Sequence, residues 1–217
     1  MSLTLKEDRI FASVLADGKI HVTVPEGTEG AKVRKYKTSD DKEGSKTELV
    51  YTELIGKITK VDFREGEYGR QLQVTVEDGD EKPVVLSLST SSNYGEDMMK
   101  KLINVDLNKV VKIVPYSFTD EKGKSKKGIT IWQHSDKTGK NEKLGNYFYD
   151  AEAKKNINGY PEPKKLKKPL SKDQWKLYFG EAREFLVEKI TEHFKITASE
   201  ESTSQADKDF EDMVEKF

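Results

Sequence analysis

The chain has 217 residues, of which 34% are hydrophobic and 35% charged, with a formal net charge of −1. That length holds one domain with appendages, and that composition implies a modest core with much of the chain in water. The absence of cysteine excludes disulfides and thiolate metal sites, the three histidines, His21, His134 and His193, are too dispersed for a ligand motif, and no apolar run is long enough to cross a bilayer. The first residues lack a signal-peptide core, so the expected location is the cytoplasm, or the host cytoplasm if the chain is viral. No metal and no cofactor is expected.

Residues 10–16 and 19–24 are β-prone and flank Asp17-Gly18, a strong hairpin turn. Residues 31–38 predict a further strand with one basic face, and 39–46 a polar loop. These segments are too short for a domain of their own and are expected to extend or cover the main sheet. A long strand is predicted over 47–64. Its apolar residues change parity, from Leu49, Tyr51 and Ile55 to Ile58 and back to Val61 and Phe63. Together with Gly56 this predicts a bulge or bend; the plainer reading is two shorter strands. Glu65-Gly66-Glu67 turns into a second strand, 70–76, and Glu77-Asp78-Gly79-Asp80 into a third, 84–88. A helix over 94–103 precedes a fourth strand, 110–118, a lysine-rich loop, 119–128, and a fifth strand, 129–133.

A helix between the third and fourth of five strands is the order expected of an OB-fold. The expected fold is therefore mainly β: an OB-fold-like five-stranded Greek-key barrel with extra N-terminal strands, a long C-terminal amphipathic helix and a disordered acidic tail. The barrel with its N-terminal extension occupies 1–150, and a basic proline- and lysine-rich connector 151–170. The helix occupies 171–196, opening with a capping box at Ser171 and Gln174. It carries an apolar stripe of Trp175, Tyr178, Phe179, Ala182, Phe185, Leu186, Ile190 and Phe194 that needs cover. Residues 197–217 have the composition of a disordered tail. From 199 onward seven carboxylates face two lysines, a net −5, which leaves +4 for the rest of the chain. A basic body with an acidic tail points to an anionic partner for the body.

No phosphate-cradling loop, nucleophile elbow or histidine pair emerges, so a binding protein is expected rather than an enzyme. The functional pattern is basic and aromatic residues interleaved on strands. Single-stranded nucleic acid is held by a positive groove along its backbone and by aromatic faces under its bases. The cationic candidates are Arg34, Lys35, Lys57, Lys60, Arg64, Arg70 and Lys112, then Lys122, Lys124, Lys126 and Lys127 in the loop before the fifth strand. The stacking candidates are Tyr68, Tyr94, Tyr116, Phe118 and Trp132. RNA binding, and an adaptor module using the aromatic helix stripe, are the alternatives. Oligosaccharide binding suits lysine-rich loops less well.

The order of elements and the ending Asp209-Phe210-Glu211-Asp212-Met213-Val214-Glu215-Lys216-Phe217 resemble the single-stranded DNA-binding proteins, most of all those of bacteriophages. The resemblance implies sequence-nonspecific binding of single-stranded DNA in replication, recombination and repair. It also implies a tail that competes with DNA and recruits a polymerase or helicase. Phe217 matches the terminal aromatic of that family, and Asp207, Asp209, Phe210, Glu211 and Asp212 belong to the matching acidic stretch. The glycine- and glutamine-rich linker of bacterial members is absent, and so are the cysteines of zinc-binding phage members. The long helix at 171–194 is not a feature of the bacterial form.

Overall fold

Alternating side chains and tight turns build strands β1 (Ile10–Val14), β2 (Ile20–Thr23), β3 (Lys32–Lys37), β4 (Glu43–Tyr51), β5 (Leu54–Gly66), β6 (Gly69–Glu77) and β7 (Val84–Ser89). Helix α1 (Asn93–Leu102) follows, then β8 (Val111–Thr119), β9 (Ser125–Ser135), β10 (Lys140–Lys143), β11 (Tyr149–Asp150), β12 (Lys155–Asn156) and helix α2 (Lys172–Phe194). The computed structural model describes residues 8–37, 41–66, 69–79, 81–163 and 169–196. The acidic tail therefore lies outside the described residues, as do Tyr68 and the centre of the lysine-rich connector. The protein is mainly β. Ten strands form one open mixed sheet in the order β10-β9-β8-β5-β6-β7-β1-β2-β4-β3, and β11 and β12 form a small hairpin. Among the described residues only the β1–β7 pairing is parallel.

The N-terminal strands extend the sheet. The Asp17-Gly18 turn lies so close to the backbone of Tyr116 and Ser117 that any side chain at position 18, where φ is +74°, collides with it. This contact brings the β1–β2 turn against the far half of β8.

The strand expected over 47–64 divides at Thr52-Glu53 into β4 and β5, because the chain changes partners there. β4 pairs with β2 and β3, whereas β5 pairs with β6 and β8. The bulge lies at Thr59, between the Ile58–Val76 and Lys60–Thr75 pairs. The extra residue lets both Ile58 and Val61 face the core and accounts for the parity change. At Gly56 a Cβ would come within 2.5 Å of the Glu77 carbonyl, so this position admits only glycine.

Two expected loops are largely strand. Glu43 to Lys46 pair with β3, and the Tyr36 ring lies over Gly44, where a Cβ would be 2.6 Å from it. The lysine-rich loop shrinks to a turn at 120–124, because β8 and β9 pair out to Thr119–Ser125. Asp120 organises that turn, its Oδ1 accepting from the amides of Lys122 (3.0 Å) and Lys124 (2.8 Å).

The inner faces of β5 to β9 meet α1 and α2 in one core containing Leu72, Leu86, Met98, Met99, Ile113, Ile129, Ile131 and Leu186. β7 and β9 share no pairing among the described residues. α1 covers that edge of β9. The Asp97 carboxylate accepts from the Ile129 amide at 2.7 Å, while the Lys101 ammonium donates to the Ile129 carbonyl. Two side chains thus satisfy backbone groups that a neighbouring strand otherwise would.

α2 begins at the predicted capping box, with the Gln174 amide 3.3 Å from Ser171 Oγ and Ser171 N donating to Gln174 Oε1 at 2.8 Å. Its apolar stripe is buried only from Ala182 onward, where Leu186 and Ile190 enter the core and Phe185 meets Phe148 and Tyr160. Trp175 and Phe179, one helical turn apart, stack at 5.6 Å between ring centroids and stay exposed, as does Leu177. Among the described residues no helix is long and apolar enough to cross a membrane.

Candidate nucleic-acid interface

Side chains of paired residues project to the same side of a sheet, so the registers decide which candidates share a face. Lys112 pairs with Trp132 and Ile55, Tyr116 with Gly128, and Phe118 with Lys126. The inner partners on the same strands, Val111, Ile113, Ile129 and Ile131, are buried. Lys112, Val114, Tyr116, Phe118, Lys126, Thr130 and Trp132 therefore occupy the outer face of the β8–β9 hairpin. Along β5 the outer positions are Ile55 and Lys57, then Lys60, Asp62 and Arg64 beyond the bulge. The same face continues over Gln71, Gln73 and Thr75 of β6 and Ser87 and Ser89 of β7. It reaches Arg34 on β3 through Lys46 of β4.

The two exposed rings of the β8–β9 hairpin are Phe118, 55% accessible, and Trp132, 36% accessible. Tyr116 is half-buried, with its ring 5.8 Å from that of Phe118 and its hydroxyl over Gly128 near Asp97. Burial, then the Asp97 charge, pushes its phenol pKa upward, so it stays neutral at working pH. Trp132 borders an open depression of about 400 Å³ lined by Glu53, Lys112, Val114 and Asn141. The Lys112 ammonium is 3.4 Å from Glu53 Oε2.

Several candidates are committed elsewhere. Tyr94 is only 5% accessible and belongs to the core, its hydroxyl beside Ser117 and Gly18, so it offers no ring face to a base. Its position at the helix start suggested a surface residue. The ring instead points inward, toward Ser117 and Gly18. Arg70 lies off the shared face and is held by Glu65 and by Glu184 of α2, hydrogen bonds that raise its pKa. Arg34 forms a two-point ion pair with the buried Glu48, its Nη2 2.7 Å and its Nε 2.9 Å from the carboxylate oxygens. Lys60 pairs with Asp62 at 2.9 Å. Lys35 and Lys127 alternate to the opposite face from Arg34 and Lys126. Lys122 and Lys124 sit exposed in the β8–β9 turn, and Lys126 is 3.9 Å from Asp120. Among the described residues no carboxylate ion-pairs with Lys57, Lys122, Lys124 or Lys127.

Sequence reasoning missed the contribution of β10. Register places Asn141 and Lys143 beside His134 and Trp132. The strand reads Lys-Asn-Glu-Lys, which has no apolar alternation to announce it. Glu53 was likewise hidden inside a single long predicted strand. Compared with known proteins, the chain matches no family model, no curated protein and no solved structure.

Proposed function

We propose that this is a sequence-nonspecific single-stranded DNA-binding protein, related to the bacteriophage type and acting in the cytoplasm in replication, recombination and repair. The observation that carries the reading is the shared outer face of β5, β8 and β9. There Trp132 and Phe118 offer exposed rings and Lys57, Lys112 and Lys126 offer charge, with Lys122 and Lys124 in the turn at the end of the hairpin. Rings stack under bases and ammonium groups neutralise phosphates, so no chemical step is needed. We read β5 to β9 as an OB-like barrel. β5 is shared between β6 and β8 as the first strand of such a barrel is, and α1 falls between its third and fourth strands. The departure lies at the β7–β9 seam, which α1 covers through Asp97 and Lys101.

The tail fits the same reading. α2 ends at Phe194, which with Lys195 and Ile196 borders a depression shared with Lys60 and Asp62, and the acidic segment is tethered to that end of the helix. Tethered carboxylates there compete with phosphates, and bound DNA frees Phe210, Met213 and Phe217 for a polymerase or helicase. Gel mobility with labelled oligo-dT tests the central reading. The expected result is tight binding at low salt, steep loss as salt rises, and weaker binding of duplex. Salt-independent binding, or equal binding of duplex, contradicts it. Tighter binding of a matched RNA strand would shift the assignment to RNA.

A further inference from the structure

We infer, resting on the reading above, that the depression beside Trp132 is a base-reading subsite that favours a nucleobase with an exocyclic amine, cytosine over thymine or uracil. The lining is unusual for a purely electrostatic groove. Trp132 contributes an aromatic surface and Val114 an apolar one, while Glu53 and Asn141 contribute polar groups. The volume, about 400 Å³, suits one base with its sugar. A carboxylate on a phosphate-binding face repels the ligand unless it has a donor to accept from. Glu53 is half-exposed, with Lys112 3.4 Å from its Oε2, so its other oxygen can face the depression. An ionised carboxylate only accepts hydrogen bonds. It welcomes the amine at C4 of cytosine and opposes the carbonyl that thymine and uracil carry there. The Asn141 amide carries both a donor and an acceptor, so it tolerates the neighbouring ring position of either base. Lys112 sits directly across the strand pair from Trp132, placed to hold the phosphate of the stacked nucleotide.

The other candidate contacts of the β8–β9 hairpin, the Phe118 ring and the Lys122, Lys124 and Lys126 ammonium groups, do not distinguish bases. The protein thus binds any single strand but seats an amino-bearing base preferentially at one point along it.

The test compares oligo-dC, oligo-dT and oligo-dU of equal length at one salt concentration, with the full chain and its Glu53→Ala and Glu53→Gln variants. Uracil separates the C4 substituent from the thymine methyl group. The wild type should prefer dC over both dT and dU by about fivefold, the lower end expected of one base-edge contact. Glu53→Ala should bind all three strands at least as tightly as the wild type, because a negative charge is gone, and should lose the preference. Glu53→Gln, which adds an amide donor, should gain affinity for dT and dU relative to dC. A dC-to-dT ratio unchanged by Glu53→Ala overturns the subsite while leaving nonspecific binding intact. Failure of every strand to bind overturns the nucleic-acid reading and the subsite with it.

Discussion

The β3–β4 hairpin and the β8–β9 hairpin both place basic side chains on the outer face of one sheet, and they differ in the carboxylates that stand beside those side chains. On the first, Glu48 is buried, with Arg34 Nη2 at 2.7 Å and His21 Nδ1 at 2.9 Å. Asp17 lies 3.1 Å from the other side of the same imidazole. Arg34 and Lys46 also approach the Tyr36 ring, at 5.5 and 5.8 Å. Of the two cations of this hairpin expected at the groove, Arg34 is thereby tied into the fold and Lys35 lies on the opposite face. On the second hairpin the nearest carboxylate to Lys126 is 3.9 Å away, Lys122 and Lys124 have no ion-pair partner among the described residues, and the neighbouring rings are exposed. The number of lysines and arginines on a strand therefore says less about binding than the carboxylates that the register sets beside them.

The widest separation of effects is expected between adjacent residues on opposite faces of β9. Ile131→Ala should destabilise the protein by about 2–5 kcal/mol in urea unfolding, because it empties a fully buried site. Trp132→Ala should leave the unfolding midpoint nearly unchanged and weaken oligo-dT binding by about 1–3 kcal/mol. If Trp132→Ala unfolds the protein instead, the two faces have been assigned wrongly.

Glu48→Gln should cost about 1–3 kcal/mol of stability while leaving oligo-dT affinity within twofold or so, since it weakens the hydrogen bonds to Arg34 and to the buried His21 and removes no candidate lysine or ring. A matching loss of affinity would show that the first hairpin binds DNA after all. The same site predicts a pH response. Burial alone pushes the Glu48 carboxyl up, but the hydrogen bonds from Arg34 and His21 outweigh it and hold the group below its ordinary 4.5. A carboxyl depressed in the folded state stabilises fully above that ordinary value and loses its contribution as pH falls through the folded value. Urea midpoints of the wild type should therefore drop as pH falls below about 4.5, and Glu48→Gln should flatten that part of the profile.

The smallest effect concerns single lysines. Lys57→Ala or Lys124→Ala should each reduce the slope of log affinity against log salt by about one phosphate's worth. Arg34→Ala should leave the slope as it was. Equal reductions from all three would erase the distinction between the hairpins.

Most elements of the sheet were legible because their causes are local. Asp17-Gly18 turns, the Leu72, Val74 and Val76 alternation marks β6, and the Ser171 and Gln174 pair starts α2. The parity change near Gly56 announced a bulge, though its position at Thr59 depended on the pairing with β6. The edge strands were not legible. β10 and the first part of β4 are polar on both sides and are recruited by neighbours rather than by burial of their own. At the site, Trp132, Lys112 and Phe118 could be placed from the parity of β8 and β9. The capture of Arg34 and Arg70 could not, because Glu48 and Glu184 lie 14 and 114 residues away in the chain. Tyr94 was misplaced for a related reason: its environment is set by the distant Gly18 and Ser117.

The chain holds two tryptophans, Trp132 on the proposed binding face and Trp175 on the exposed start of α2. A titration of Trp175→Phe with oligo-dT, followed by tryptophan emission, reports on Trp132 alone. Stacking of bases on this ring predicts saturable quenching that added salt reverses, with a midpoint matching that of gel mobility. Binding seen by mobility with no change in Trp132 emission would place the DNA elsewhere and contradict the account.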